Sequence, residues 1–298
     1  MILVIGATGT VGREVVAQLL LEGQRVRALT RDPSRARLDE RVKLIAGDLA
    51  RPETLARAVE GSERVFSVAL GPEGGLREGA LARAARDAGV RHIVKLSVLG
   101  AGGNARSGVA SWHDSGERAI QESGIAWTFV RPTAFMSNAL WWSDTIRSEG
   151  RVFSNFGYGK LAVIHPRDVA SVAVRALVSP GHEGKAYPLT GPEALGTDEQ
   201  VRILAAAIGR PIEYVPVDDD AALERMRMAG MPAYLIDALL PFGEVVRGGR
   251  ATRVSGVVKQ LTGRQPLTFA EWAREHAAEF RAPLPVAPAR SSISRKPR

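Results

Sequence analysis

Apolar and polar positions fall into two rhythms along the first two thirds of the chain. Short, nearly continuous apolar runs occupy 1–5, 24–29, 42–46, 64–70, 91–96 and 126–130, and between them apolar residues recur every three or four positions. The runs read as strands buried on both faces and the recurring stretches as amphipathic helices. Helices are expected over 13–21, from Pro52 to about 59, up to about 88, and over 112–123. Strand and helix alternating in this way predict an α/β fold with a doubly wound parallel sheet of the Rossmann kind. Right-handed crossovers then put the loops at 6–12, 30–37, 47–49, 70–75 and 97–111 on one edge of that sheet, where a ligand belongs.

Further along, a strand from 162 leads into a helix over 166–177, and 186–189 reads as a last sheet strand. Past Gly191 and Pro192 the pattern becomes mainly helical, over 198–208, 219–229 and 269–280, with a short strand at 212–217. The expected organisation is a dinucleotide-binding domain over 1–190, with 132–160 contributing to the cleft, and a smaller C-terminal α+β lobe over 191–282. A basic tail over 283–298, rich in Pro, Ser and Arg, is expected to be disordered. The apolar patch at 235–242 would either cover the cleft or join a second subunit.

The first strand runs directly into Gly6, Gly9 and Gly12 and then into a helix. A strand that turns sharply into a helix while a diphosphate approaches its backbone needs positions without a Cβ. The free N–H groups and positive dipole end of that helix would face the diphosphate. The spacing is G-x-x-G-x-x-G, not the commoner G-x-G-x-x-G, so strand and helix context carry the inference more than the motif does. The end of the second strand selects the nucleotide: an acidic residue there suits the ribose of NAD, and an arginine the extra phosphate of NADP. Arg31 comes first, then Asp32, with Arg35 and Arg37 in the same loop. NADP is favoured, the alternatives being NAD through Asp32 or a solvent-facing loop with no preference.

Composition narrows the classes that remain. At 298 residues and 45% hydrophobic the chain can bury a large core, and no apolar run approaches a membrane span. A start that opens into a core strand leaves no room for a signal peptide, so the expected location is cytoplasmic. With no cysteine and five scattered histidines, no metal site is expected. The formal charge of +8 is spread among acidic residues on helix faces, which argues against a nucleic-acid partner.

Several segments together are similar to one family. They are Ile5 with the glycine turn, Arg27 through Pro33, Gly47-Asp48-Leu49, His92-Ile93-Val94-Lys95-Leu96-Ser97, Trp112-His113 through Gly124, Thr128 through Asn138, and His165-Pro166-Arg167-Asp168. Over roughly residues 1 to 215 the chain resembles the NmrA-like group of atypical short-chain dehydrogenases/reductases. The resemblance implies an NAD(P)-binding domain with a smaller lobe over the substrate cleft, in a group holding both reductases and nucleotide-sensing regulators. It implies that Gly6, Thr8, Gly9, Thr10, Val11 and Gly12 cradle the diphosphate. Arg31 would meet the 2′-phosphate, Asp48 and Leu49 would flank the adenine, and Ser97 would lie beside the nicotinamide.

The catalytic region departs from the pattern. Short-chain dehydrogenases usually pair a tyrosine with a lysine four residues later, and none of Tyr158, Tyr187, Tyr214 and Tyr234 has one. The helix after the fifth strand, where reductases of the group often carry a lysine, offers Trp112, His113, Glu117 and Arg118 instead. His113 could shuttle a proton, or it could only pack at the helix start or hydrogen-bond the cofactor. Ser97 is either a nicotinamide contact or a plain cap, and Asp168 reads as a structural residue at a helix start. Phe135, Trp141 and Trp142 lie in the most aromatic stretch and could wall an apolar substrate pocket. These features read as an NADP-preferring oxidoreductase that transfers hydride to a small apolar carbonyl, quinone or enone. The alternative is a non-catalytic NAD(P)-sensing regulatory protein. Its partners would be the nucleotide and a small substrate, with a homodimer or a regulatory protein partner left open.

Overall fold

The computed structural model describes residues 1–103 and 108–281. The tail expected over 283–298 and part of the loop expected over 97–111 lie outside the described residues. The strands are β1 (Ile2–Ile5), β2 (Val26–Thr30), β3 (Lys43–Ala46), β4 (Arg64–Ser67), β5 (His92–Leu96), β6 (Ala126–Pro132), β7 (Arg151–Ser154), β8 (Lys160–Leu161), β9 (Lys185–Leu189), β10 (Leu195–Gly196) and β11 (Glu213–Pro216). The helices are α1 (Thr10–Leu21), α2 (Leu55–Val59), α3 (Gly74–Asp87), α4 (Gly108–Glu122), α5 (Ser143–Glu149), α6 (Pro166–Val178) and α7 (Thr197–Ile208). Six more follow: α8 (Asp219–Met228), α9 (Ala233–Leu239), α10 (Phe242–Arg247), α11 (Val257–Thr262), α12 (Phe269–Glu275) and α13 (Ala277–Arg281).

Seven strands form one parallel sheet in the order β3-β2-β1-β4-β5-β6-β9. The order reverses between β1 and β4, and at such a switch point a crevice opens beyond the strand C-termini. Period-two alternation sorts the side chains by face. Ile2, Val4, Phe66, Val94 and Val130 pack with Val15 and Leu19 of α1 and Val169 to Leu177 of α6, forming one core. Leu3, Ile5, Val65, Ile93 and Phe129 turn to the other face, against Leu55 of α2, Leu81 of α3 and Ile120 of α4.

A third core lies outside the sheet. It joins Met136, Ile146 and Val152 to Val201 and Leu204 of α7, Val246 of α10, and Phe269 and Trp272 of α12. Segments 136–163 and 201–280 thus interleave in one cluster. Val258 of α11 returns to the first core, against α6. No helix among the described residues is long and apolar enough to cross a membrane.

Three local expectations change. The strand read over 64–70 ends at Ser67, because Val68 leaves the sheet to lie beneath the glycine turn: a Cβ on Gly6 would stand 2.6 Å from Val68 Cγ1. The strand read from 162 is reduced to a bridge from Ile164 to Phe135, and the pairing with β10 is made just before it, by β8. The single helix read over 269–280 is two, α12 opened by a Thr268–Glu271 capping box and α13 beyond His276, whose ring lies 4.7 Å from that of Trp272.

Candidate functional site

The glycine turn sits at the sheet's switch point. Gly6 has φ of 71° and accepts a hydrogen bond from Gly9 N at 2.9 Å. Gly12 passes so close beneath this turn that a Cβ there would fall on the Gly6 carbonyl oxygen and 2.7 Å from its carbon. No side chain caps α1, and Thr8, Gly9 and Thr10 at its start are exposed. An uncapped helix start offers unpaired N–H groups and a positive dipole end, and here they stand over a turn stripped of side chains. This arrangement fits a diphosphate.

At the end of β2, Arg31 is exposed and has no ion-pair partner among the described residues. Asp32 is occupied by its own loop: one carboxylate oxygen accepts from Ser34 N at 3.0 Å and Ser34 Oγ at 2.6 Å. The Ser34 hydroxyl holds that carboxyl below the usual carboxylate range. Asp32 thus keeps one oxygen free, while the guanidinium beside it is open to a phosphate. Asp48 is similarly tied, accepting from Ala50 N at 3.0 Å, and Leu49 leans partly buried on the second core.

The other end of the cleft holds a buried polar nest. Ser67 and Lys95 are register partners on β4 and β5, and with Ser97 and Arg131 they project toward α3 and α4. Glu78 comes down from α3, and His113 and Glu117 come one turn apart from α4. Lys95 and Glu78 are completely enclosed. The Lys95 ammonium donates to Glu78 Oε1 at 3.0 Å, to the Leu96 carbonyl at 3.3 Å, and meets His113 Nδ1 at 3.3 Å. Ser67 Oγ donates to the other Glu78 oxygen. Gly116 makes room for the pair: a Cβ there would stand 3.1 Å from both Glu78 Cγ and Lys95 Cε.

Beside this group, Ser97 Oγ donates to Glu117 Oε1 at 2.5 Å, and Arg131 grips both oxygens of Glu117, with Nε at 2.9 Å. Asp114 holds the outgoing loop by accepting from Gly102 N at 2.7 Å. Burial first, and the Lys95 charge second, push the His113 ring down to about 3, so it is neutral at every physiological pH.

The residues expected from sequence therefore separate. Gly6 to Gly12, Arg31, Asp48 and Leu49 stand at the ends of β1, β2 and β3, while Ser97 and His113 stand near the ends of β4 and β5. The aromatics do not gather: Phe135 leans on the first core, Trp142 on the third, and Trp141 is 61% exposed. Asp168 accepts from Leu267 N at 2.7 Å and ties α6 to the segment before α12. From the C-terminal part, α9 leans on α4, with the rings of Tyr234 and Trp112 5.7 Å apart. Sequence reasoning missed Lys95, Glu78, Ser67 and Arg131. The available signal was Lys95, a charge at an inward position of an otherwise apolar central strand.

Residues 6–180 match the NAD(P)H-binding family. The chain is 42% identical over 285 residues to an NAD(P)H azoreductase of Xenophilus azovorans, spanning 95% of this chain and 100% of that one. It is 42% identical over 282 residues to a (4-alkanoyl-5-oxo-2,5-dihydrofuran-3-yl)methyl phosphate reductase of Streptomyces griseus, spanning 94% and 99% of the two chains. Among solved structures, an NADPH-dependent quinone oxidoreductase from Escherichia coli complexed with NADPH superposes with a TM-score of 0.82 at 26% identity, covering 92% of this chain and 99% of that one.

Proposed function

The chain belongs to the NAD(P)H-binding family, and from that membership and its resemblance to the NmrA-like atypical short-chain dehydrogenases/reductases we propose an NADP-preferring oxidoreductase that reduces a small apolar carbonyl, quinone or enone. The observation that carries the proposal is the phosphate end of the cleft. A side-chain-free turn meets an uncapped helix start, and Arg31 stands open beside an Asp32 that gives one oxygen to Ser34.

Gly6, Thr8, Gly9, Thr10, Val11 and Gly12 hold the diphosphate, Arg31 the 2′-phosphate, and Asp48 and Leu49 flank the adenine. Ser97 and His113 lie toward the nicotinamide. When bound, the dihydronicotinamide supplies a hydride to the acceptor, and water supplies the proton that completes the reduction. Ser97 spends its own hydrogen on Glu117, so its oxygen can only accept from a ligand. Residues 1–190 serve as the dinucleotide-binding domain and 191–282 as the lobe that closes the substrate side, where Trp112 and Tyr234 meet. Of the three aromatics, exposed Trp141 is the one left free for a substrate in this scheme, since Phe135 and Trp142 lean on the cores. The protein works in the cytoplasm on soluble ligands, alone or as a homodimer.

The test is a titration with NADPH and NADH, followed by NADPH consumption across a panel of quinones, aldehydes, enones and azo compounds. Tight NADPH binding with turnover on one class supports the proposal. NADPH binding with no turnover on the whole panel would defeat it and leave a nucleotide sensor; recovery of a protein partner in only one redox state of the nucleotide would then identify that role.

A further inference from the structure

An ammonium and a carboxylate shut away from water need a reason beyond stability, since apolar side chains of similar volume often serve the fold as well. Lys95 and Glu78 form such a pair, and its geometry bears on one other group. The ammonium has three hydrogens and faces three acceptors: Glu78 Oε1, the Leu96 carbonyl and His113 Nδ1. A donor-only group can face Nδ1 only where that nitrogen carries a lone pair. The single hydrogen of the neutral imidazole is then on Nε2.

We propose that Lys95 is a positioning residue that acts through His113, locking the imidazole as the neutral Nε2–H tautomer so that His113 presents a fixed hydrogen-bond donor to a carbonyl oxygen of the bound ligands. Glu78 and Ser67 hold the ammonium in place from the far side. The groups around the ring agree with this assignment. Lys95 comes from β5 and Glu78 from α3. On the ring's own helix, Glu117 is taken by Arg131 of β6 and Ser97, and Asp114 by Gly102 and Arg118, while α9 brings Tyr234 against Trp112. Each of these carboxylates already faces a cation, and burial together with the Lys95 charge keeps a second proton off the ring.

Only the identity of the acceptor rests on the reductase proposal; the tautomer does not. Nitrogen NMR of histidine-labelled protein is therefore the test. The wild type should show Nε2 protonated and Nδ1 bare, without titration from about pH 5 to 8. The double variant Lys95→Met/Glu78→Gln removes both charges together and leaves no buried ion unpaired. Its His113 ring should show both tautomers, while burial still holds its basicity below the ordinary imidazole range. A wild-type ring protonated at Nδ1, or a double variant with unchanged tautomer, overturns the assignment even in a protein that reduces nothing.

Kinetics locate the acceptor. A fall of roughly tenfold in kcat with NADPH affinity unchanged marks the substrate oxygen, and a comparable loss of NADPH affinity marks the nicotinamide carboxamide. A double variant with altered tautomer and neither loss refutes the donor role.

Discussion

Substituting Gly12 by alanine is the most direct probe of the glycine turn. The added Cβ would overlap the Gly6 carbonyl oxygen and stand 2.7 Å from its carbon and 3.0 Å from Ala7 Cα, all backbone atoms. No rotamer change relieves this, so the start of α1 must rise by roughly an ångström against a helix whose Val15, Val16 and Leu19 are anchored in the core. Overpacking of that kind costs about 1–3 kcal/mol of stability. The same movement carries the first-turn N–H groups away from the diphosphate. Hydrogen bonds to a charged acceptor are worth about 1.5–3 kcal/mol, so NADPH binding should weaken by roughly 10- to 100-fold.

Gly9→Ala is the companion variant: its Cβ would stand 3.2 Å from the same carbonyl oxygen and needs only a few tenths of an ångström of give, so its melt should stay near wild type while its added methyl, on the face that meets the diphosphate, weakens NADPH. Calorimetric titration with NADPH, with a urea melt on each variant, separates binding from folding. A Gly12→Ala protein that binds NADPH within about threefold of wild type would refute the placement of the diphosphate over this turn.

Three further substitutions probe the rest of the site. Arg31→Ala should weaken NADPH by roughly tenfold or more while leaving NADH nearly unchanged, because the lost charge-assisted contact exists only for the 2′-phosphate; equal losses would defeat the NADP preference. The neutral His113 ring gives stability a pH slope. Its folded value of about 3 lies below the ordinary 6.5, so the unfolded chain takes up a proton the folded one refuses, and stability falls as pH drops below 6.5. The loss from this ring is about 2 kcal/mol between pH 7 and 5, and urea melts of His113→Gln should lack it. Arg131→Met strands the buried Glu117 carboxylate and should cost about 3 kcal/mol in a denaturant melt, with Glu117→Gln restoring much of it; two losses that simply add would show that the pair is not coupled.

The sheet and its phosphate end were legible because they rest on local signals. Continuous apolar runs mark strands buried on both faces, and Gly6 and Gly12 stand where neither the turn nor the crossing helix tolerates a Cβ. Arg31 ahead of Asp32 points to NADP from the sequence alone, and the structure adds that Arg31 is exposed without an ion-pair partner among the described residues while Ser34 holds one oxygen of the aspartate. The polar nest was not legible in the same way. Ser67, Lys95 and Arg131 each occur as a single polar residue near the end of a different strand, and only the parallel register brings them side by side. The helix itself carries no lysine, and the ammonium reaches His113 from the strand beneath it. The third core escaped for a similar reason: Ile146 and Trp272 are more than a hundred residues apart, and no periodicity links them.

The two ends of the cleft solve the electrostatic problem of a charged ligand in opposite ways. At the phosphate end, Arg31 waits in water and the helix start is left uncapped, so charge is compensated only when the ligand arrives. At the other end, the ion pairs of Lys95 with Glu78 and of Arg131 with Glu117 are complete before anything binds. Preformed pairs in a dry site cannot reorganise cheaply, and that rigidity suits groups that must point in one direction. His113 and Glu117 stand one turn apart on α4, so the two pairs pin the same helix at successive turns. In the proposed scheme a ligand carrying phosphates is captured by groups that can adapt, while its reactive end meets groups whose protons are already assigned: Ser97 gives its hydrogen to Glu117, and Lys95 confines the hydrogen of His113 to Nε2. The missing tyrosine–lysine pair is in this light a difference in proton chemistry. A buried strand lysine that orients a neutral imidazole supplies direction without supplying an acid, which suits acceptors that need polarisation and can take their proton from water.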